Sequence, residues 1–284
     1  MSVTSCKTTV IPFVGHGDTQ LAMVVSTKDQ SIKGQPLLWL VHGSGGVSSG
    51  DQLWAAAAMD RGFTVVWIDH YGPRGIYKMN HRLNDTYHLY HFNLAVDIHL
   101  AMPRLLASQS LIPFVDIKQG IKMVGFSSGG SAVIYAVTPD FDHSMIAQVA
   151  ALYPGLWPLT DKAITADGSK INIYVGADDD WTRPEHSQAF HTFAPEAKLV
   201  ILPNTKHSFS KPGAGGHYDE VHNVSQVPFE IPTPMHELMT FSGRYREIYD
   251  HWAGRFLGAS AEYNHNSTAA VIDDFLGPLE NHNG

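Results

Sequence analysis

A serine between two glycines is the feature of the sequence best suited to chemistry. Residues 125–129 read Gly-Phe-Ser-Ser-Gly, and the pattern centres on Ser127, because centring it on Ser128 would put a phenylalanine where the first glycine belongs. This spacing is typical of a nucleophile elbow, where a strand ends, the chain turns sharply and a helix begins. The apolar run 121–124 and the small residues 131–137 suit that strand and that helix. We therefore predict that Ser127 is a nucleophile.

An aspartate on a later loop is expected to act as the acid. A serine hydroxyl is a poor nucleophile near neutral pH and needs a base, which in turn needs an acid to orient it. In enzymes built on such an elbow, the acid and then a histidine follow the serine, each after a later strand. Asp178, Asp179 and Asp180 follow the predicted strand 171–175. We favour Asp179, because it is the third residue after Gly176, and a turn at this glycine would direct its carboxylate back over the sheet edge. Asp180 is second and Asp178 is third. Alternatively, Thr182 or Asp180 could be the N-cap of the helix that begins at Pro184, and this role suits Asp180 well.

A histidine that could act as the base follows the next predicted strand. Residues 198–202 are expected to form that strand, and His207 is the first histidine after it. The chain contains 17 histidines, so position in the chain, rather than residue type, selects His207. His217 and His222 lie further along the same segment and remain the alternatives.

Two backbone N–H groups are expected to bind the negative charge that develops on a substrate oxygen. In an elbow of this kind, one of them belongs to the residue after the nucleophile, here Ser128. The other is expected from the glycine-rich residues 42–46, because glycines let the backbone approach a substrate closely. We favour the N–H of Ser44, with that of Gly45 as the alternative. The segment lacks the Gly-Lys-Ser/Thr ending of a phosphate-binding loop.

Further candidates for contact with a substrate lie on loops at the same edge of the predicted sheet. Trp157 and Trp181 could form pocket walls, and Arg74 could either bind a substrate carboxylate or connect two loops. Residues 72–92 are rich in tyrosine and histidine, and we expect them to form either a cap over Ser127, which we favour, or a buried packing face.

A metal site is a second possible role for the same histidine-rich segment. His88 and His91 are three residues apart and would share one helix face. Zinc needs at least three convergent protein ligands, and no zincin-type motif accompanies this pair. The sequence therefore predicts neither a metal nor an organic cofactor.

Apolar runs and helical segments alternate along the chain, which predicts an α/β fold. The apolar runs read as strands buried on both faces of a sheet and cover residues 37–41, 63–68, 121–124, 148–152, 171–175 and 198–202. Helical segments are expected at 52–61, 85–108, 128–137 and 184–193. Such alternation predicts a mostly parallel central sheet with helices on both faces. Ahead of it, residues 8–14 and 21–26 are expected to form an antiparallel hairpin.

The chain length suits one large α/β domain, which we expect to span residues 1–258 of the 284. Near its end, apolar residues at three- and four-residue steps predict an amphipathic helix within 238–256. Residues 259–284 are mostly polar and are expected to form a weakly ordered tail.

Composition narrows the class of partner. The net charge is −8 and Lys and Arg do not cluster, which argues against nucleic acid. The single cysteine, Cys6, cannot form an internal disulfide, which fits a reducing compartment. The first residues lack the apolar core of a signal peptide, and no run approaches the roughly 18 apolar residues of a membrane helix. We therefore expect a cytoplasmic protein that acts on a small molecule without membrane contact, in an unknown oligomeric state.

The order of these motifs resembles that of the dienelactone hydrolase-like branch of the α/β-hydrolase superfamily. The resemblance covers most of residues 37–257 and rests on the segments 42–46, 68–75, 125–130, 151–155, 176–182 and 207–209. It implies an α/β-hydrolase fold with Ser127, Asp179 and His207 as a catalytic triad. One departure is that the namesake enzymes of this family carry cysteine at the nucleophile position, whereas this chain has serine.

The resemblance also implies an activity. We expect hydrolysis of a carboxylic ester or lactone through an acyl-enzyme intermediate, without metal or organic cofactor. The serine in place of cysteine leaves the substrate open. Two alternatives remain: a biosynthetic acyltransferase or cyclase, in which another nucleophile replaces water, and a binding protein that reuses the fold without catalysis.

Overall fold

An eight-stranded sheet forms the centre of the molecule. The structure is a computed structural model that describes residues 6–76, 91–156, 166–222 and 257–279. The strands of the sheet are, in chain order, β1 (Lys7–Val14), β2 (Gln20–Thr27), β3 (Leu37–Val41), β4 (Thr64–Ile68), β5 (Ile121–Phe126), β6 (Ile146–Leu152), β7 (Ile171–Gly176) and β8 (Lys198–Leu202). In space they follow the order β1-β2-β4-β3-β5-β6-β7-β8. A separate antiparallel pair consists of β9 (Gly215–His222) and β10 (Leu257–Glu262).

The strand directions agree with the predicted fold class. Strands β3 to β8 are all parallel to one another. The N-terminal strands β1 and β2 form an antiparallel hairpin, and β2 joins the sheet antiparallel to β4. The prediction of a mostly parallel sheet with an N-terminal antiparallel hairpin is therefore confirmed. Because β3 to β8 are parallel, their carboxyl ends meet at one edge of the sheet, where ligands bind in folds of this type.

Helices cover both faces of the sheet. Successive residues of a strand point to opposite sides, so strands that are apolar throughout place apolar side chains on both faces. The helices are α1 (Ser49–Asp60), α2 (His91–Ala107), α3 (Ser128–Tyr135), α4 (Pro184–Phe193) and α5 (His265–Leu276). On one face, Trp39 of β3 shares a buried cluster with residues of α2, α3 and α4. On the other face, its neighbour Leu40 shares a second cluster with Trp54 of α1 and Phe275 of α5. Helix α1 begins at Ser49 rather than at residue 52, because Ser48 and Asp51 form a capping box.

The prediction of a weakly ordered C-terminal tail is wrong for residues 259–279. Most of β10 and all of α5 lie there, and α5 begins at the N-cap Asn264, whose side chain accepts a hydrogen bond from the Ser267 N–H. The helix buries Val271 and Phe275, which are four residues apart and lie on one helix face. The polar residues around this narrow apolar stripe concealed the helix in the sequence.

Other sequence predictions fall on residues outside the described ranges. They concern the amphipathic helix within 238–256 and residues 77–90 of the expected cap. Within the described ranges, no helix is both long and apolar enough to cross a membrane.

Candidate active site

Ser127 stands between β5 and α3 in a conformation that is rare for a residue with a side chain. Its φ of 52° and ψ of −113° lie in the strained region that is typical of a nucleophile elbow. The flanking glycines have steric reasons. A Cβ at Gly125 would lie 2.0 Å from the carbonyl oxygen of Gly129, and one at Gly129 would lie 2.2 Å from that of Val41. The sharp turn therefore needs glycine at both positions, as the motif indicated.

His207 lies next to Ser127. It follows β8, as predicted, and its Nε2 is 3.2 Å from the Ser127 Oγ. The imidazole is buried between two aromatic rings: that of Tyr153 packs edge-on and that of Trp181 is tilted, each with its centroid 4.8 Å from the centroid of the imidazole. The structure therefore brings together the predicted nucleophile and the predicted base.

The three successive aspartates have three different environments. Asp179 is buried, and its Oδ2 lies 2.9 Å from the His207 Nδ1. Asp178 is exposed to solvent. The Oδ1 of Asp180 accepts a hydrogen bond of 2.7 Å from the backbone N–H of Ser260 in β10. The interpretation of Asp180 as a helix N-cap is wrong, because the N-cap of α4 is Arg183 and it makes no side-chain capping bond.

Backbone and side-chain donors surround the Asp179 carboxylate. Its Oδ1 accepts the backbone N–H groups of Trp181 at 2.9 Å and of Thr182 at 2.7 Å. Its Oδ2 lies 3.0 Å from the Thr182 hydroxyl as well as next to the His207 ring. These contacts hold the carboxylate in the orientation in which its Oδ2 faces the His207 Nδ1.

The turn after β3 forms one wall next to Ser127. Residues 43–46 make this turn, closed by a hydrogen bond of 3.0 Å from the Gly46 N–H to the Gly43 carbonyl. Gly43 packs so closely that a Cβ there would lie 2.9 Å from the Phe126 carbonyl oxygen. Ser44 lines the cavity in front of Ser127. Ser128 is the first residue of α3, where a helix has no intrahelical acceptor for its N–H groups.

His42 supports the turn from beneath. Its Nδ1 lies 2.9 Å from the Gly43 carbonyl oxygen, and its Nε2 accepts the His70 backbone N–H at 3.1 Å. A neutral ring that carries its proton on Nδ1 satisfies both contacts. Burial lowers the pKa of His42 to about 4, so the ring is neutral near pH 7. His42 is therefore a structural residue.

Arg74 does not line this cavity, and of the two roles expected for it the structure supports the one in which it connects loops. Its guanidinium forms a bidentate pair with the fully buried Asp97, with distances of 2.9 and 3.0 Å. It also donates to the carbonyl oxygens of His16 and His70, at 2.8 Å each. Arg74 therefore connects the β1–β2 turn, the segment after β4 and helix α2. Burial raises the pKa of Asp97, but hydrogen bonds from His70 and Arg74 outweigh it and hold that pKa below its usual value.

A cavity of about 310 Å³ opens in front of Ser127. Its walls come from the turn after β3, from the loops that carry Trp181 and His207, and from the β9–β10 pair, which contributes Tyr218, Val221 and Ala261. Trp181 lies in the wall, where the sequence placed it. Tyr218 packs near it, with 6.2 Å between ring centroids. The lining combines aromatic and apolar side chains with serines and glycines, and Lys211 also lines the cavity.

Several predicted site residues need separate comment. Trp157 and His88 lie outside the described ranges, as does the side chain of His222. His217 lies on β9, where its Nδ1 is 3.1 Å from the Ser260 Oγ, so it is not the histidine beside Ser127. Among the residues that the structure describes, no group of three or more His, Cys, Asp or Glu side chains could hold a metal ion.

Sequence reasoning missed Thr182 and Tyr153. Thr182 comes three residues after Asp179, and this spacing on a tight loop was a signal that its hydroxyl could return to the carboxylate. Tyr153 ends the β6 region with a φ of 41°, a conformation that the sequence gives no means of recognising.

Comparison with known proteins identifies the fold. No protein-family model matches the sequence, and no curated protein matches it. Among solved structures, a protein from Klebsiella pneumoniae assigned as a dienelactone hydrolase is 14% identical, with a TM-score of 0.55 over 72% of this chain and 88% of that one. A dienelactone hydrolase-like promiscuous phosphotriesterase from metagenomic libraries is 15% identical, with a TM-score of 0.55 over 87% of this chain and 99% of that one.

A puromycin hydrolase is also similar, at 15% identity and a TM-score of 0.54 over 73% of this chain and 37% of that one. This chain thus matches only about a third of that longer protein. Together, these similarities show that the chain has the α/β-hydrolase fold. The resemblance seen in the sequence is therefore confirmed at the level of the fold.

Proposed function

We propose that this protein is a serine hydrolase that cleaves a carboxylic ester or lactone through an acyl-enzyme intermediate. The observation that carries the proposal is the continuous contact from the Ser127 Oγ to the His207 Nε2 at 3.2 Å, and from the His207 Nδ1 to the buried Asp179 carboxylate at 2.9 Å. A hydroxyl, an imidazole and a carboxylate in this order are the arrangement that activates a serine. The solved structures of similar fold that are named as hydrolases agree with it.

In the proposed reaction, the Ser127 Oγ attacks the substrate carbonyl carbon while the His207 Nε2 takes the hydroxyl proton. The new C–O bond places a negative charge on the former carbonyl oxygen, and the N–H groups of Ser44 and Ser128 are the donors proposed to bind it. His207 then gives its proton to the departing alkoxide as the ester C–O bond breaks. Asp179 stabilises the imidazolium and holds the ring orientation throughout.

Deacylation reverses these roles. A water molecule in the cavity gives one proton to the His207 Nε2 and attacks the acyl carbon, and the proton then returns to the Ser127 Oγ as the acid product leaves. For a lactone, the departing alkoxide remains attached to the acyl group, so the product is a single hydroxy acid. The cavity of about 310 Å³ suits a small acyl group, and Trp181 supplies apolar surface against it.

The test uses variants of two serines. Ser127→Ala should reduce turnover of p-nitrophenyl acetate by about 10³-fold or more, because the nucleophile is lost. It should also abolish covalent labelling by a fluorophosphonate, read by mass spectrometry of the intact protein. Ser187→Ala is the matched control: Ser187 is buried on α4, and its hydroxyl has no partner among the described residues. This control should keep both turnover and labelling.

Two results would contradict the proposal. One is labelling that persists in Ser127→Ala, which would place the reactive group elsewhere. The other is a wild-type protein that is folded but neither reacts with the fluorophosphonate nor hydrolyses small esters and lactones.

A further inference from the structure

We propose that Thr182 is a positioning residue whose hydroxyl holds Asp179 and His207 in line with Ser127. The proposal rests on the proposed function, in which His207 is the base. It adds a fourth side chain to the site, and one that does not touch the substrate.

The Thr182 hydroxyl lies within hydrogen-bond distance of three groups. Its Oγ1 is 3.0 Å from the Asp179 Oδ2, 3.1 Å from the His207 Nδ1 and 3.2 Å from the Tyr153 carbonyl oxygen. A hydroxyl has one proton to donate and two lone pairs that accept. It can therefore donate to the carboxylate or to the carbonyl while it accepts part of the His207 Nδ1–H bond. The hydroxyl stands at the point where the acid meets the base.

Thr182 also fixes the other oxygen of the same carboxylate. Its backbone N–H is 2.7 Å from the Asp179 Oδ1, while its hydroxyl contacts Oδ2. One residue thus grips both oxygens, which prevents rotation of the carboxylate about its terminal bond. Thr182 lies two residues before Pro184, the first residue of α4. The carboxylate is therefore oriented from within its own loop.

Tyr153 provides the third contact from a strained backbone. Its φ of 41° is uncommon for a residue with a side chain and persists only where the surroundings enforce it. The strained residue presents its carbonyl to the Thr182 hydroxyl and its ring to the edge of His207. Tyr153 contacts the imidazole from the end of β6, and Thr182 contacts it from the acid loop, residues 177–183 between β7 and α4.

The contacts are buried, so water cannot easily take the place of the hydroxyl. Thr182 is 4% exposed, and the Asp179 side chain is fully buried. Hydrogen bonds to a charged group are stronger than neutral ones, and without the hydroxyl the Asp179 Oδ2 would keep, among the described residues, only its contact with the His207 Nδ1. The position of the Asp179 carboxylate matters most when His207 carries the extra proton, because the carboxylate then stabilises the imidazolium. Removal of the hydroxyl should therefore lower kcat more than it raises KM.

The experiment compares Thr182→Val, which keeps the branched shape without the hydroxyl, with Thr182→Ser, which keeps the hydroxyl. Thr182→Val should lower kcat on p-nitrophenyl acetate by about 10- to 100-fold, with KM changed by less than about threefold. Thr182→Ser should restore kcat to within about threefold of wild type. The matched control is Thr64→Val: Thr64 is fully buried at the start of β4, and its hydroxyl donates to Gln35 at 2.9 Å. That control should lose thermal stability but keep kcat.

A proton NMR measurement tests the same contact without turnover. The Nδ1–H of a buried histidine that bonds to a carboxylate gives a strongly downfield signal when solvent exchange is slow. We expect this His207 signal in wild type and in Thr182→Ser, and its loss or broadening in Thr182→Val. If wild type shows the signal but no turnover or labelling, the proposed function fails and the Thr182 contact still stands or falls on the NMR comparison. An unchanged signal and unchanged kcat in Thr182→Val, or equal losses in Val and Ser variants, would overturn the proposal.

Discussion

Acid should destabilise the protein because the buried His42 must stay neutral. Both ring nitrogens of His42 are engaged, and a protonated ring would lose the contact in which its Nε2 accepts the His70 N–H. Burial lowers the pKa of His42 to about 4, whereas an unfolded chain takes up that proton near 6.5. Between these values the unfolded state binds more protons, so the free energy of unfolding decreases as the pH falls. From pH 7.5 to 5.0, the difference amounts to about 1.5 pK units, or about 2 kcal/mol.

Urea unfolding at pH 7.5 and pH 5.0 measures this contribution. The loss of unfolding free energy between the two pH values should be about 2 kcal/mol larger in wild type than in His42→Gln, whose amide can donate and accept without titrating. The control is His217→Gln, because the His217 side chain is 53% exposed and should leave the pH dependence as in wild type. Equal pH dependences in wild type and in His42→Gln would refute this reasoning.

Three further predictions follow from the elbow and the acid loop. Ser127→Gly should be about 1 kcal/mol more stable to urea than Ser127→Ala, because glycine relieves the strain at a φ of 52°; equal stabilities would argue against strain. Gly125→Ala should lower the free energy of unfolding by about 3 kcal/mol, since its Cβ would meet the Gly129 carbonyl oxygen at 2.0 Å; a melting temperature like that of wild type would contradict this. Asp179→Asn should reduce kcat by about 10³- to 10⁴-fold, while Asp180→Ala should cost about 1 kcal/mol of stability and at most a few-fold in kcat; equal losses of kcat would contradict the assignment.

The proximity of the three candidate catalytic residues could be predicted from the sequence because the sheet is parallel. Ser127 follows β5, Asp179 follows β7 and His207 follows β8. Apolar runs marked each of these strands, and the carboxyl ends of parallel strands meet at one edge. Residues far apart in the chain are thereby brought together without knowledge of any side-chain contact. Their catalytic roles remain the proposal that the variants test.

The sequence could not decide between the two possible roles of Arg74, because its partner is a carboxylate on a helix 23 residues away. An arginine on a loop near a cavity has the same local sequence whether it faces a ligand or the interior. The decision depends on Asp97, which is fully buried and needs a counter-charge. That burial results from the packing of α2 against the sheet and not from the residues around Arg74.

The acid loop shows how a distant strand decides between neighbouring residues of the same type. The turn closed by the Asp179 N–H and the Gly176 carbonyl, at 3.3 Å, directs Asp179 towards His207, and this local geometry is what the Gly-x-x-Asp spacing predicted. Asp180 points instead to the Ser260 N–H of β10, a segment that the sequence indicated to be a loose tail. If β10 is not recognised, the sequence offers no distant hydrogen-bond partner for Asp180, so a helix N-cap is the interpretation that the neighbouring residues favour. An error about residues 259–279 thus became an error about the role of Asp180, because strand pairing between distant segments is not encoded in either segment alone.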